Sequence, residues 1–252
     1  MLSARYRPGS GDKTNDLILL IHGLGCDKHS FDEAWESDTL QNYAMLAADF
    51  PGCGDSPIAS DQQPTMPFYA DALFELLADY TFERLHIVAH SMGAAPGFLL
   101  TEKPGLPLAS FVNVEGNLVP EDAGMLSRRT AETTLEKFES VNYQKLISGA
   151  ERSDDTGVLK WAEQLRNCPA AIYHAKSISL VEWSDNGRLI AIFSALSVPK
   201  LYVYGDRSVN PDVLSQLDHI PQRELKDCGH FIMSEKPDVF YPLLAEFLDT
   251  AH

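Results

Sequence analysis

The sequence predicts an α/β protein whose mostly parallel central sheet is flanked by helices. Short apolar runs, such as LILLIH at residues 17–22, alternate with stretches whose apolar residues recur at helical spacing, such as residues 67–80. A run that is apolar at every position indicates a strand buried on both faces, which is typical of a parallel sheet between helical layers. With 252 residues, the chain can form one large domain of this class and carry an insertion.

The predicted elements follow one another along most of the chain. We place strands at residues 17–22, 43–48, 85–89, 110–114, 200–204 and 223–226. We place helices at residues 30–43, 67–80, 92–100 and 238–248. Ser30 is the candidate cap of the first of these helices. Strands therefore alternate with helices at both ends of the chain but not in its middle.

The segment 118–197 breaks this alternation. It is rich in helix-forming residues and carries two of the three tryptophans, Trp161 and Trp183. Because the strand pattern resumes at Lys200, we interpret residues 118–197 as a helical cap inserted into a core made of residues 1–117 and 198–252. The insertion would lie at the carboxyl edge of the sheet, where open α/β sheets bind ligands. We expect most of its aromatic residues to pack the cap onto the core.

Composition excludes several classes of partner. The net charge of −16 repels nucleic-acid phosphates and anionic lipids, so we expect neither nucleic acid nor a membrane as partner. The first sixteen residues lack the apolar core of a signal peptide, and no apolar run is long enough to span a bilayer. The four cysteines have no CxxC spacing, which fits reduced thiols and a cytoplasmic location.

The motif IVAHSMGAA at residues 87–95 is the strongest signal of chemistry. A predicted strand runs into Ser91, and small residues lead from it into a helix. A nucleophile on such a sharp turn needs small neighbours, and the usual pattern is G-x-S-x-G. Ala89 replaces the first glycine, giving A-H-S-M-G. The alternative is that Ser91 only caps the helix.

Two further motifs supply partners for such a serine. HGLG at residues 22–25 follows the first strong strand, and its backbone N–H groups can face an oxyanion. We assign the oxyanion donors to the N–H groups of Leu24 and Met92. His230, in DCGHF before the last helix, is the candidate general base. A plain tight turn and a surface histidine are the alternatives.

Together these motifs resemble the α/β-hydrolase superfamily, in its serine-nucleophile branch. The resemblance includes DFPGCGDS at residues 49–56 and KPDVFYPLLAEFL at residues 236–248. It implies a mostly parallel eight-stranded sheet, with a helical cap inserted after the sixth strand at the place of residues 118–197. It implies a catalytic serine, acid and histidine, and it implies no cofactor and no metal.

The acid is the open question. In the α/β-hydrolase superfamily, which this sequence resembles, the acid commonly follows the seventh strand in a G-x-x-D pattern. Here the residue three positions after Gly205 is Ser208. Two carboxylates remain. Asp206 follows Gly205 directly, although aspartate is also a favoured turn residue. Glu115 ends the strand before the insertion, where some family members carry the acid. We favour Glu115 and keep Asp206 as its rival.

These residues predict a serine hydrolase that forms an acyl-enzyme on Ser91. The expected substrate is a small, mainly apolar carboxylic ester. A carbon–carbon bond hydrolase or a lactonase would use the same triad, and a non-hydrolytic ligand-binding protein on this scaffold is a further alternative. A homodimer is left open. Cys26 and Cys228 suggest a redox switch, but we favour the alternative that both are small hydrophobic residues buried in the core.

Overall fold

The computed structural model describes residues 2–251, apart from the Met125 side chain, and this part of the chain contains a seven-stranded sheet. The strands lie in the spatial order β1-β3-β2-β4-β5-β6-β7, and β1 alone runs antiparallel to its neighbour. Their bounds are β1 Ala4–Arg7, β2 Asp16–Ile21, β3 Ala44–Ala48, β4 Arg84–His90, β5 Leu108–Val114, β6 Lys200–Gly205 and β7 Gln222–Leu225. The prediction of a mostly parallel sheet is confirmed.

Helices cover both faces of the sheet. The α-helices are α1 Asp32–Glu36, α2 Met66–Leu77, α3 Ala94–Thr101, α4 Gly124–Ala131, α5 Leu135–Lys137, α6 Tyr143–Ala150, α7 Thr156–Leu165, α8 Ala170–Asp185, α9 Arg188–Ala195, α10 Pro211–Leu214, α11 Ile232–Glu235 and α12 Pro237–Thr250. Short 3₁₀ helices lie at Gly11–Lys13, Lys28–Phe31, Asp38–Leu40, Ser91–Gly93 and Pro120–Ala123, and a π-helical turn lies at Phe138–Asn142. Within residues 2–251, none of the helices has the length and apolar character needed to cross a bilayer.

The core explains why the central strands read as unbroken apolar runs. All six residues of β2 and all five of β3 are buried, because helices cover both sides of the middle of the sheet. The first strand, β1, was not predicted. It has only four residues, two of them exposed, so it lacks a buried pattern that the sequence could reveal.

The helix predicted at residues 30–43 is wrong in extent. The chain instead forms a 3₁₀ turn, the five-residue α1 and a second 3₁₀ turn, because Ser37 adopts an extended backbone that interrupts the helix. Ser30 does not cap it. Asp27 caps the first turn by accepting the His29 N–H, while the Ser30 hydroxyl donates to Gln164 at 2.9 Å.

The helical segment, residues 118–197, lies between β5 and β6 and contains helices α4 to α9. It therefore follows the fifth strand of this sheet and not the sixth, because the described chain has seven strands where the family pattern has eight. Its last helix packs on α3. The Phe193 ring lies 5.2 Å from that of Phe98, which in turn stacks on Phe111 of β5 at 4.6 Å. The segment is thus anchored to the helix that follows Ser91.

Candidate active site

Ser91 lies on the sharp turn between β4 and α3. Its φ is +54°, a left-handed conformation that is uncommon for any residue except glycine. The turn forces close approaches around it. A Cβ on Gly93 would lie 2.5 Å from the His22 carbonyl oxygen, and one on Gly23 would lie 3.0 Å from the Ser91 Cβ. Strain of this kind, held by the surrounding structure, is common at functional sites.

His230 and Glu115 form the central polar contact of the site. His230 Nδ1 lies 2.7 Å from Glu115 Oε2. Because an ionised carboxylate can only accept hydrogen bonds, Nδ1 carries the proton in the neutral ring and Nε2 is left as the basic nitrogen. The Glu115 side chain is 7% exposed, whereas that of His230 is 38% exposed and accessible from the cavity. The pair has the geometry of a base held by a buried acid.

The second oxygen of Glu115 is also held. Glu115 Oε1 accepts the Gly205 N–H at 2.7 Å and the Ser208 hydroxyl at 2.6 Å. Ser208, at the position where the family pattern has aspartate, therefore donates to the glutamate that reaches in from the neighbouring strand. Asp206 is placed elsewhere, where its carboxylate accepts the Cys228 N–H at 3.4 Å.

The backbone that delivers Glu115 is tightly constrained. Glu115 has a φ of +46°, and its N–H donates to the Val203 carbonyl at 3.0 Å. The next residue must be glycine, because a Cβ on Gly116 would lie 2.2 Å from that of Ala94. The Asn113 amide oxygen accepts the Gly116 N–H at 2.6 Å. Contacts of this kind fix the direction in which the Glu115 side chain leaves the sheet.

Two residues that sequence reasoning missed hold the His230 loop. The Glu235 carboxylate accepts the N–H of Gly229 at 2.7 Å and that of Phe231 at 3.0 Å. His90 Nε2 lies 2.9 Å from the His230 carbonyl oxygen and must donate, because a carbonyl can only accept. Burial, with the nearby His230, lowers the pKa of His90 well below its usual value, so His90 stays neutral. No sequence motif predicts either contact.

The environment of His230 makes it a stronger base than an ordinary histidine. Burial opposes protonation of the ring, but the hydrogen bond to Glu115 and the charges of Glu115, Glu235 and Asp122 outweigh burial. The pKa of His230 is therefore raised above its usual value. The imidazolium that forms when the ring takes a proton would be stabilised by these carboxylates.

Leu24 and Met92, whose N–H groups are the predicted oxyanion donors, lie on the two loops next to Ser91. The N–H of Leu24 has no acceptor among the described residues, and Leu24 lines the cavity beside Ser91. Met92 lies in the first turn of the 3₁₀ helix that leads into α3, where backbone N–H groups lack partners within the helix. Trp161 in α7 fixes the loop, because its Nε1–H donates to the Leu24 carbonyl at 2.9 Å.

A cavity of about 500 Å³ brings these residues together. Ser91, Glu115, His230 and Ser208 line it, but the described contacts include no hydrogen bond between the Ser91 hydroxyl and the His230 ring. Catalytic hydrogen bonds often form fully only when substrate is bound.

The apolar lining of the cavity comes from Leu24, Val158, Trp161, Tyr173 and Phe231. Trp161 and Tyr173 of the segment 118–197 therefore line the cavity, whereas packing onto the core was expected for most aromatic residues of this segment.

Two polar residues that the sequence analysis did not predict, Asn117 and Asp122, also line the cavity. Asn117 is 4% exposed, and its Nδ2 has no hydrogen-bond partner among the described residues. Asp122 lies nearby and accepts the N–H groups of Leu118 and Val119 at 2.8 and 3.0 Å. Burial raises the pKa of Asp122 to about 7, against the effect of these two hydrogen bonds. The cavity is therefore lined by polar as well as apolar side chains.

Comparison with known proteins agrees with this fold. A model of the alpha/beta hydrolase fold family matches residues 16–237. The chain therefore belongs to the α/β-hydrolase fold family, and it is a hydrolase.

Individual relatives are more distant. Over 180 residues the chain is 26% identical to "Probable lysophospholipase BODYGUARD 4" of Arabidopsis thaliana, covering 70% of this chain but only 40% of the plant protein. Its structure is similar to that of an esterase from Exiguobacterium antarcticum, with a TM-score of 0.79, 12% identity and coverage of 98% and 95% of the two chains. It is also similar to the N-acyl homoserine lactonase AidH, with a TM-score of 0.77, 18% identity and coverage of 99% and 93%. Identities this low indicate a shared fold only.

Proposed function

We propose that the protein is a serine hydrolase that cleaves a small, mainly apolar carboxylic ester through an acyl-enzyme on Ser91. The observation that carries the proposal is the 2.7 Å contact between Glu115 and His230 in the cavity that also contains the strained Ser91. A nucleophile, a base and a buried acid are the three groups that acyl transfer through serine requires.

The proposed reaction has two halves. His230 Nε2 takes the Ser91 hydroxyl proton as the oxygen attacks the ester carbonyl, and the N–H groups of Leu24 and Met92 hold the oxyanion. His230 then gives its proton to the departing alcohol. In the second half His230 activates water, which releases the carboxylic acid and restores Ser91. The Glu115 carboxylate stabilises the imidazolium.

The shape of the cavity supports a substrate of modest size. About 500 Å³ accommodates a small ester, and the apolar wall formed by Leu24, Trp161, Tyr173 and Phe231 suits an acyl or aryl group. We propose that residues 118–197 act as a cap, because Val158, Trp161 and Tyr173 of this segment supply much of that wall. Closing the cavity would exclude water and strengthen the electrostatic interactions inside.

A lactone is the second candidate, and Asn117 is the observation that favours it. The buried amide of Asn117 has a free donor at the cavity, which a second carbonyl oxygen of the substrate could accept. Lactone opening needs the same serine, base and acid. An apolar monoester offers no partner for this donor, whereas a lactone with an amide side chain does.

A substrate panel tests both candidates. Aryl and alkyl esters of graded acyl length and lactones with and without an amide side chain should be compared on the wild type and on Ser91→Ala. We expect turnover of short apolar esters by the wild type and none by Ser91→Ala. Labelling by a serine-directed fluorophosphonate should likewise require Ser91. Folded wild type that neither turns over the panel nor takes the label would contradict the proposal.

A further inference from the structure

A second cluster of reactive side chains lies apart from Ser91 and is not used in the proposed reaction. Lys176 of α8, Cys53 of the loop after β3 and Cys168 between α7 and α8 are at most 1% exposed. Lys176 Nζ lies 2.6 Å from Cys53 Sγ, and Cys53 Sγ lies 4.0 Å from Cys168 Sγ. Cys26 and Cys228, in contrast, contact backbone carbonyl groups of Leu24 and Leu225.

A fully buried lysine normally needs a carboxylate to balance its charge. Among residues 2–251, no carboxylate lies within ion-pairing distance of Lys176 Nζ. Its nearest polar group is the Cys53 sulfur, and the Tyr69 ring centroid lies 6.0 Å away. The counter-charge must therefore come from a thiolate. The hydrogen bond from Cys53 and the nearby Lys176 lower the pKa of Cys168 to about 6, which supplies one.

The separation between Lys176 and Cys53 is shorter than a hydrogen bond to sulfur should be. Even N–H···O bonds are about 2.7–3.2 Å long, and sulfur is larger than oxygen. A single oxygen atom bonded to both nitrogen and sulfur, however, would hold the two atoms at about this separation. A disulfide is less well matched, because its sulfurs must approach to about 2.05 Å from the 4.0 Å between Cys53 and Cys168.

We propose that Lys176 and Cys53 are the site of an oxygen-bridged crosslink, Nζ–O–Sγ, formed by oxidation with dioxygen. The Lys176 amine and the Cys53 thiol react with one molecule of dioxygen. Nitrogen and sulfur each lose two electrons and form one bond to the same oxygen atom. The second oxygen atom leaves as water with one hydrogen from the amine and one from the thiol. A dithiol reductant reverses the reaction by returning four electrons, and the bridging oxygen leaves as water.

The crosslink would join two parts of the molecule that are 123 residues apart in sequence. Cys53 belongs to the loop 49–56, whose Asp49 carboxylate is buried and holds Lys28 at 2.7 Å. Lys176 lies one turn after Tyr173, which lines the cavity. Oxidation would therefore tie the wall of the cavity to the core and restrict movement of α8. It should raise the midpoint of thermal unfolding, since the tie constrains the unfolded chain.

Intact-mass spectrometry tests the proposal directly. Protein purified without oxygen and with dithiothreitol should be compared with the same protein after incubation in air-saturated buffer. We expect the mass to increase by one oxygen and decrease by two hydrogens. Peptide mapping should join the Cys53 peptide to the Lys176 peptide, and fresh dithiothreitol should restore the original mass and the lower unfolding midpoint.

Three variants separate this product from its competitors. Cys53→Ala and Lys176→Met should abolish the mass change and the shift in unfolding midpoint, whereas Cys168→Ala should retain both. If Lys176→Met does not fold by circular dichroism, Cys53→Ala provides the same test. Loss of two hydrogens without oxygen, dependent on Cys168, would identify a disulfide and overturn the proposal. An unchanged mass after air exposure, or oxygen added to a cysteine alone, would also overturn it.

Discussion

The Ser208 hydroxyl donates a 2.6 Å hydrogen bond to Glu115 Oε1. Ser208 lies at the position where the family pattern has its acid, and here it binds the carboxylate that we propose as the acid. The other Glu115 oxygen binds His230 Nδ1 at 2.7 Å. On the proposed function, the acid would therefore come from the end of β5 and not from the end of β6.

Neutralising Glu115 should disable the enzyme without unfolding it. In Glu115→Gln the amide can no longer stabilise the imidazolium or enforce the Nδ1 tautomer, so we expect kcat to fall by about 10³–10⁴-fold. Asp206→Asn is the matched control and should retain turnover within a factor of about three, because Asp206 does not contact His230. Steady-state kinetics on the best ester would decide between them. The assignment fails if Asp206→Asn is the variant that loses turnover.

Ser208→Ala should have a smaller effect. It removes one of the hydrogen bonds that orient the carboxylate, worth about 1 kcal/mol, so kcat/KM should fall by about fivefold. Ser215→Ala is a suitable control, because its hydroxyl bonds only to the Asp212 carbonyl on the surface. Equal kinetics for Ser208→Ala and wild type would show that Glu115 is already fixed by the Gly205 N–H and the backbone.

The pH dependence of kcat/KM should reveal the effect of Glu115 on the pKa of His230. Catalysis needs the neutral ring of His230, so kcat/KM should rise as pH passes upward through its pKa. Because that pKa is raised, the acidic limb should lie above the value of an ordinary histidine. Glu115→Gln removes the hydrogen-bonded charge that raises the pKa of His230 most, leaving the weaker effects of Glu235 and Asp122 against the opposing burial, so the limb should move to lower pH. A pH profile of kcat/KM for both proteins measures the shift, and an unmoved or upward-shifted limb would refute it.

Gly116→Ala should damage both stability and activity. The new Cβ would lie 2.2 Å from the Ala94 Cβ, and relieving that overlap must move either Glu115 or the helix after Ser91. We expect about 1–3 kcal/mol less stability to unfolding, together with a larger loss of kcat than of substrate affinity. Gly149→Ala provides a control. That glycine lies in α6 with open space around it, so the change should stabilise by about 0.4–1 kcal/mol. Urea unfolding curves of the two variants give the comparison.

The sequence was informative where chemistry depends on local backbone. Ser91 and the loop around Leu24 were identified as candidates because strained turns require small residues next to one another in the chain. Glu115 became a candidate indirectly, since Ser208 supplies no charge at the expected acid position. The buried strands β2 to β6 were predicted because their apolar runs leave little alternative.

Contacts between residues far apart in the chain could not be predicted from the sequence. Glu235 and His90 hold the His230 loop through hydrogen bonds to backbone, which leave no pattern in residue types. The contact between Lys176 and Cys53 joins residues in two separate segments, and nothing in either segment marks the other. Residues 30–43 were predicted as one helix because apolar spacing cannot reveal the extended Ser37 that divides it.

The pairing of β4 with β5 has a mechanical consequence for the triad. His90 and Val114 are paired across these strands, so Ser91 and Glu115 are each the first residue beyond the same rung of the ladder, and both have a positive φ. The proposed nucleophile and acid are therefore both held by the paired strands β4 and β5 at the centre of the sheet. His230, in contrast, lies in the loop that follows β7, the strand at the edge of the sheet. The position of the proposed base therefore depends on contacts of its own loop, such as those with Glu235, and not on the strand pairing that places the other two residues.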